Sequence, residues 1–199
     1  MDATMIKKIP NYLTFGRIAA IPLFIGLMMV DSAWAAWTAL IVYALACITD
    51  FFDGWLARKL DAGTPMGRFL DPIADKLLVA ALLILIAWKG DRLPGVHVIP
   101  ATIIMMREIL VSGLREFLGP SGITVPVSRL AKWKTTVQMF ALGFLIVGPV
   151  HGPTYFPYTH IHFPHMGIGW TGIWLAACIT VYTGWAYMKT GVGHINNAA

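Results

Sequence analysis

The sequence predicts an all-α integral membrane protein with six transmembrane helices. Of its 199 residues, 57% are hydrophobic and 13% are charged, and the mean hydropathy is +0.68. This composition is too apolar for a soluble domain of this length. Six apolar segments come close to the roughly 20 residues that a spanning helix needs. They cover residues 12–30, 34–58, 71–88, 97–118, 130–150 and 167–188.

The distribution of Lys and Arg predicts the orientation of these helices. If the N-terminus is cytoplasmic, only Lys89 and Arg92 of the fifteen Lys and Arg residues fall on the outer side. Basic residues accumulate on the cytoplasmic side of membrane proteins, so both termini are predicted to be cytoplasmic.

The pattern along the chain excludes several other classes. The apolar segments show no alternation of period two, so a membrane β-barrel is not expected. The net charge of +5 is scattered between the apolar segments, and nucleic-acid binding is therefore not predicted. The chain shows no internal repeat, and we expect one domain over residues 1–199.

Charged residues between positions 50 and 75 are unusual because ionisable groups at membrane depth are costly and are normally functional. At 100° per residue they fall on two helical faces. The first face, at the end of the second apolar segment, carries Asp50, Asp53, Gly54, Ala57 and Arg58. The second face carries Gly67, Asp71 and Asp75 at positions i, i+4 and i+8. A short loop between the two faces would bring four carboxylates together, and they coexist only by sharing protons or by holding cations.

Oxygen ligands without His or Cys suit hard divalent cations such as Mg²⁺ or Mn²⁺. Four carboxylates can bridge two such ions, an arrangement that clamps a phosphoryl group. Arg58 can neutralise a further phosphate charge. The small residues Gly54, Ala57 and Gly67 allow close approach of a bulky ligand such as a nucleotide, although small residues also serve helix packing in membranes.

This stretch resembles the signature of the CDP-alcohol phosphotransferases, D-x2-D-G-x2-A-R-x8-G-x3-D-x3-D, at every fixed position from Asp50 to Asp75. Enzymes of that family cleave a CDP-activated alcohol, release CMP and join the phosphoryl group to a second alcohol. The resemblance implies six transmembrane helices, a homodimer and a two-metal site on the cytoplasmic side.

The resemblance also implies roles for individual residues. Asp75 would act as the general base in addition to binding metal. The implied metal ligands are Asp50, Asp53, Asp71 and Asp75. The residues implied to contact the CDP moiety are Gly54, Ala57, Arg58 and Gly67.

Basic residues of the fourth and fifth segments predict an anionic acceptor. Arg107 and Arg115 are eight residues apart and share a helical face, with Glu108 close to it. Lys132 and Lys134 open the next segment near the same membrane face. Several cations at one cytoplasmic pocket favour a phosphorylated acceptor, although positive-inside topology alone also places cations there.

Over residues 8–145 the chain resembles the bacterial phosphatidylglycerophosphate synthases. The shared features are the Arg107–Glu108 pair, Arg115, the K-x-K-T-T-x-Q run that begins at Lys132, and a proline-led L-T-x-x-R start. This resemblance implies transfer of a phosphatidyl group from CDP-diacylglycerol to sn-glycerol 3-phosphate in the bacterial inner membrane, with the site facing the cytoplasm. The residues proposed to grip the acceptor phosphate are Arg107, Arg115, Lys132 and Lys134. The supporting residues are Thr14, Arg17 and Glu108, and Arg17 is expected to face a lipid-side phosphate.

Two alternatives remain open at the level of sequence. The same chemistry could use inositol phosphate or serine as acceptor, although a zwitterion such as serine needs fewer cations. A cation transporter would usually place its carboxylates near the bilayer midplane, often in repeated halves. Here the carboxylates cluster at one membrane face and no repeat is visible, which disfavours a transporter.

The histidines between positions 151 and 165 have a spacing that can bind Zn²⁺. They are His151, His160, His162 and His165. They are expected on the side of the membrane opposite the carboxylates and match no motif, so we interpret them as loop or interfacial residues.

Overall fold

The computed structural model describes residues 9–60, 65–119, 129–149 and 164–198. All regular structure within these ranges is helical. The α-helices are α1 (Ile9–Met29), α2 (Ala33–Leu60), α3 (Pro65–Trp88), α4 (Val98–Leu118), α5 (Arg129–Val147) and α6 (His165–Ala198). A 3-10 turn, Gly95–His97, leads into α4.

Within the described residues, four helical segments are long and apolar enough to cross a bilayer. They are Tyr12–Met29, Ala33–Asp50, Gly95–Leu118 and His165–Gly191. The prediction of an all-α membrane protein is thus confirmed. Charged residues at the starts of α3 and α5 shorten the apolar runs of these two helices. The six-span count and the cytoplasmic termini stay predictions.

The helix bounds follow the predicted segments closely, with differences at two ends. Helix α3 begins at Pro65, six residues before the predicted start, and α6 continues to Ala198, ten residues beyond the predicted end. The extension of α6, which begins at Lys189, is mostly polar, whereas the extension of α3 over residues 65–70 is mainly apolar and is interrupted by Arg68. The apolar pattern marks only the part of a helix that lies in hydrocarbon, so it underestimates the length of α6. Helix α5 ends at Val147, where Gly148 adopts a φ of 66°, the left-handed conformation that commonly terminates a helix.

The chain divides into two compact units. The first contains α1, α2 and α3, and the second contains α4, α6 and α5 as far as Leu145. In the first unit α1 packs against both α2 and α3. Its buried apolar side chains include Phe24, Met28, Tyr43, Leu82 and Ile86. The predicted single domain over residues 1–199 stays a prediction.

Close approach at glycines defines how α5 and α6 pack in the second unit. A Cβ atom at Gly172 would lie 2.9 Å from the Cβ atom of Ala141, and one at Gly169 would lie 2.9 Å from the Leu145 side chain. Residue numbers rise along α6 as they fall along α5, so these helices run antiparallel.

Glycines also mark the contact between α4 and α6. A Cβ atom at Gly184 would lie 3.1 Å from Cγ of Arg107, and one at Gly191 would lie 2.7 Å from a Leu114 methyl group. Residue numbers rise together, so α4 and α6 run parallel. The C-terminal halves of α4 and α6 therefore lie at the same end of this unit as the N-terminal half of α5.

Candidate active site

In the first unit, Arg17 of α1 joins carboxylates from two other helices. Its Nη2 lies 2.8 Å from Oδ1 of Asp50 on α2, and its Nη1 donates to Oδ1 of Asp75 on α3 at 2.7 Å. The side chain of Arg17 is 1% exposed, whereas those of Asp50 and Asp75 are 35% and 51% exposed. One buried guanidinium thus holds two carboxylates that keep oxygen atoms open to a ligand.

A second polar contact lies one helical turn away. The Thr14 hydroxyl donates a hydrogen bond to Oδ1 of Asp71, and Thr14 is fully buried. Thr14 precedes Arg17 by three residues, and Asp71 precedes Asp75 by four, so each pair shares a helical face. Helix α1 therefore presents a hydroxyl and a guanidinium to successive aspartates of α3.

The structure brings three of the four predicted metal ligands to α1, namely Asp50, Asp71 and Asp75. The remaining ligand, Asp53, lies on α2 one turn beyond Asp50, and its side chain falls outside the described residues. Gly67 is buried near the start of α3. The side chains of the other predicted CDP contacts, Ala57 and Arg58, likewise fall outside the described residues, and Gly54 beside them is described only as part of α2.

From the sequence, Thr14 and Arg17 were predicted to have only supporting roles. The structure gives Arg17 two carboxylate partners on different helices, and the predicted contact with a lipid-side phosphate stays a prediction. The L-T-x-x-R spacing already placed both residues on one face of α1. The aspartates that this face meets could not be read from spacing within a single helix.

The donor set fits a hard divalent cation, because it consists of carboxylate oxygens with a neighbouring hydroxyl and contains no sulfur or imidazole. The side chains of Asp50 and Asp75 are partly exposed, so a cation can reach them. Within the described residues, no three His, Cys, Asp or Glu side chains converge closely enough to hold a metal. The side chain of Asp53 is not among those residues.

In the second unit, Glu108 of α4 contacts two of the basic residues that were predicted to bind the acceptor phosphate. Lys134 of α5 donates a hydrogen bond to Oε1 of Glu108, and Nη1 of Arg107 lies 4.0 Å from the same oxygen. Lys134 is 3% exposed. A buried ammonium group needs such a partner, because an isolated charge is strongly disfavoured in an apolar interior.

Helix α6 supplies the partners of the two arginines. Nη2 of Arg115 donates to the Tyr187 hydroxyl at 2.9 Å, and Nη2 of Arg107 donates to Oγ1 of Thr183 at 3.3 Å. Cζ of Arg107 lies 5.6 Å from the centroid of the Tyr187 ring, and Cζ of Arg115 lies 5.1 Å from it. Both distances fall within the range of a cation–π contact.

The structure brings Arg107, Arg115 and Lys134 together with Glu108, whereas Lys132 lies on another face of α5. Lys132 precedes Lys134 by two residues, which is about 200° around a helix, and its side chain is exposed. Its predicted part in acceptor binding stays a prediction.

Thr183 and Tyr187 were not predicted from the sequence, because the last third of the chain carries no recognisable motif. The available signal was their spacing of four residues on an apolar helix, with Thr180 three residues earlier. The predicted histidine loop lies largely outside the described residues. His165 is described and is the first residue of α6.

Comparison with known proteins places these clusters in a family. The sequence model of the family described as CDP-alcohol phosphatidyltransferase matches residues 7–182. A CDP-diacylglycerol–glycerol-3-phosphate 3-phosphatidyltransferase of Rickettsia bellii is 45% identical over 183 residues, covering 92% of this chain and 94% of that protein. An enzyme of the same name from Cereibacter sphaeroides is 36% identical over 217 residues, covering 96% of this chain and 98% of that protein.

A plant protein also matches part of the chain. The protein from Oryza sativa named cardiolipin synthase (CMP-forming) is 41% identical over 151 residues, covering 71% of this chain and 46% of that protein. Enzymes of this family use divalent metals. The family match covers most of the chain, including the acidic cluster and the cations of the second unit, and this protein belongs to the CDP-alcohol phosphatidyltransferase family.

Proposed function

We propose that this protein transfers the phosphatidyl group of CDP-diacylglycerol to sn-glycerol 3-phosphate, giving phosphatidylglycerophosphate and CMP. The observation that carries the proposal is the 45% identity, over 92% of the chain, to transferases named for both of these substrates. The intact signature from Asp50 to Asp75 and the basic cluster of the second unit support it independently.

The donor side of the reaction is assigned to the first unit. Asp50, Asp53, Asp71 and Asp75 would hold two divalent cations, Mg²⁺ or Mn²⁺. When bound, these cations supply charge neutralisation at the phosphoryl oxygens. Gly54, Ala57 and Gly67 leave room for the CDP moiety, and Arg58 offers its guanidinium to a phosphate.

The acceptor side is assigned to the second unit. Arg107, Arg115 and Lys134 carry three positive charges, and Glu108 carries one negative charge, so the cluster has a surplus that suits a phosphate dianion. Charge-assisted hydrogen bonds from guanidinium groups to phosphate are strong and can be bidentate. This surplus favours glycerol 3-phosphate over an uncharged or zwitterionic alcohol.

The proposed chemistry is a single displacement at phosphorus. The Asp75 carboxylate takes the proton from the 1-hydroxyl of glycerol 3-phosphate, and the resulting oxyanion attacks the β-phosphorus, which bears the diacylglycerol. The bond from this phosphorus to the bridging oxygen breaks, and CMP leaves with that oxygen. Asp75 suits the role of general base because its side chain is half exposed and is held in place by Arg17.

The remaining parts of the proposal concern the setting of the enzyme. A location in the bacterial inner membrane, with the site facing the cytoplasm, agrees with the distribution of Lys and Arg. A homodimer is proposed from the resemblance alone.

An acceptor panel tests the proposed function. Purified protein in mixed micelles would be given CDP-diacylglycerol, Mg²⁺ or Mn²⁺, and one acceptor at a time, with CMP release as the readout. We expect release with glycerol 3-phosphate and none with serine or inositol phosphate. Removal of divalent cations by a chelator should stop the release, and adding either cation back should restore it.

The similarity to a protein named cardiolipin synthase (CMP-forming) suggests a second candidate function. In that function the acceptor would be phosphatidylglycerol. That acceptor is itself a lipid, so it belongs in the same panel as a separate arm. CMP release with phosphatidylglycerol and not with glycerol 3-phosphate would overturn the proposal in favour of this second function.

A further inference from the structure

One face of α6 carries buried polar side chains within the segment His165–Gly191, which is apolar enough to cross a membrane. Thr180, Thr183 and Tyr187 follow at i, i+3 and i+7, and they are 0%, 2% and 4% exposed. Tyr182 and Trp185 of the same helix are 67% and 74% exposed. The buried face is thus distinct from the outer, apolar face of α6.

Tyr187 contacts both arginines of the basic cluster. It accepts a hydrogen bond from Arg115, and its ring lies beneath the guanidinium groups of Arg115 and Arg107. Thr183 accepts a hydrogen bond from Arg107 and donates its own hydroxyl proton to the Ile179 carbonyl at 2.8 Å. The positively charged guanidinium groups of Arg107 and Arg115 therefore both contact the Tyr187 ring, and Arg107 also contacts Thr183.

Buried polar atoms on α4, α5 and α6 of this unit also point to a polar ligand. Within the described part of the chain, Nε of Arg107, Oε1 of Gln138 and Oγ1 of Thr180 are buried and have no hydrogen-bond partner. Buried polar atoms are normally hydrogen-bonded, and such exceptions call for an explanation. The antiparallel pairing of Gly172 with Ala141 brings Thr180, two turns further along α6, level with Lys134 of α5.

We propose that Tyr187, assisted by Thr183, is a positioning residue that sets the two arginines for the phosphate group of the acceptor. The tyrosine ring fixes the planes of both guanidinium groups, and its hydroxyl fixes the rotation of Arg115. Preorganised guanidinium groups bind a phosphate without first losing side-chain freedom. This inference deepens the proposed function and rests on it for the identity of the acceptor.

Two substitutions at position 187 separate the contributions of the ring and the hydroxyl. Tyr187→Phe keeps the ring and removes the hydrogen bond to Arg115, so we expect KM for glycerol 3-phosphate to rise about 3- to 10-fold. Tyr187→Leu removes both contacts, and we expect a rise of about 10- to 100-fold. The KM for CDP-diacylglycerol, and kcat at saturating acceptor, should stay within about twofold of wild type.

Tyr182 provides a matched control, because it is a tyrosine on the same helix with an exposed side chain. Tyr182→Leu should leave all three kinetic constants unchanged. The inference is overturned if Tyr187→Leu leaves KM for glycerol 3-phosphate unchanged, or raises the KM values of both substrates equally. If Tyr187→Leu does not fold, Tyr187→Phe decides alone, and an unchanged KM for the acceptor would then overturn the inference.

A binding measurement distinguishes failure of this inference from failure of the proposed function. Thermal unfolding in detergent would be followed with glycerol 3-phosphate and, separately, with inorganic phosphate. Wild type should be stabilised by both, and Tyr187→Leu by neither at the same concentrations. Wild type that is stabilised but transfers nothing to glycerol 3-phosphate would contradict the proposed function alone. Equal stabilisation of wild type and Tyr187→Leu would contradict the role of Tyr187.

Discussion

Arg17 is the residue that ties the acidic site of the first unit together. It joins Asp50 and Asp75, which lie on different helices and would otherwise repel each other. Arginine suits this position because its fork of donors reaches two carboxylates at once and stays charged when buried. A lysine would offer a single point charge to the same pair.

Replacing Arg17 with Gln should destabilise the protein in the absence of divalent cations. The two carboxylates would lose their shared positive charge, and we expect the free energy of unfolding to fall by roughly 1–3 kcal/mol, since both acids are partly solvated. Chemical unfolding in detergent measures this change in free energy. The control is Lys189→Gln, which removes the charge of an exposed side chain on α6. Equal stability of the two variants would contradict the role assigned to Arg17.

Replacing Asp75 with Asn should abolish turnover without preventing insertion into the membrane. Asn keeps the volume and an oxygen that can accept from Arg17, but it cannot take a proton from the acceptor. Loss of a general base typically lowers the rate by about 10²- to 10⁴-fold. CMP release by the purified variant measures the effect, and Asp91→Asn, exposed in the connection after α3, should retain wild-type activity. An active Asp75→Asn enzyme would refute the assignment of the base.

At the scale of helices, small residues set the packing of α5 against α6. Gly172 meets a methyl group of Ala141 that cannot rotate away, whereas Gly191 meets the flexible Leu114 side chain. Small residues let the backbones of helices approach closely in membranes, where packing rather than water exclusion drives association. A larger residue should therefore be tolerated less well at Gly172 than at Gly191.

Gly172→Ala should force α5 and α6 apart at this contact. The added Cβ atom would lie 2.9 Å from Cβ of Ala141, and we expect a loss of roughly 1–3 kcal/mol in stability, as is usual for overpacking. Gly167→Ala on the same helix meets nothing within 4 Å and serves as the control. Thermal unfolding of both variants in one detergent gives the comparison. Equal melting temperatures would contradict the close contact between Gly172 and Ala141.

The sequence predicted the helices well because each apolar run has the length that a bilayer demands. It missed the polar extension of α6, since nothing apolar marks where a helix continues beyond the hydrocarbon. It also missed the first turns of α3, where Pro65, Gly67 and Arg68 interrupt the apolar pattern. The signature spacing predicted which aspartates share a face. It did not show that Arg17 pairs with them, or that Tyr187 lies under Arg107 and Arg115, because those contacts join helices distant in the chain.

At the scale of the whole molecule, the proposed reaction needs an active site that is accessible from the cytoplasm. The distribution of Lys and Arg predicts this orientation, and the connection between α3 and α4, which contains Lys89 and Arg92, then lies on the outer side. Phosphorylated acceptors and CDP-lipids carry charged groups that do not cross a bilayer unaided. Orientation therefore decides whether the site can meet its substrates.

Cysteine labelling in intact cells tests this orientation. In a background with Cys47 and Cys178 replaced by Ala, Asp91→Cys should react with a membrane-impermeant maleimide from outside. Lys189→Cys, on the exposed surface of α6, should react only after the membrane is permeabilised. The opposite labelling pattern would refute cytoplasmic termini.

The central claim is that an acceptor oxygen attacks the β-phosphorus of CDP-diacylglycerol. The most direct measurement follows glycerol 3-phosphate whose 1-hydroxyl oxygen is ¹⁸O through a complete turnover, with mass spectrometry of both products. We predict phosphatidylglycerophosphate that retains the label in its new phosphodiester, together with unlabelled CMP. Labelled CMP, release of phosphatidic acid, or the absence of a labelled lipid would contradict the account.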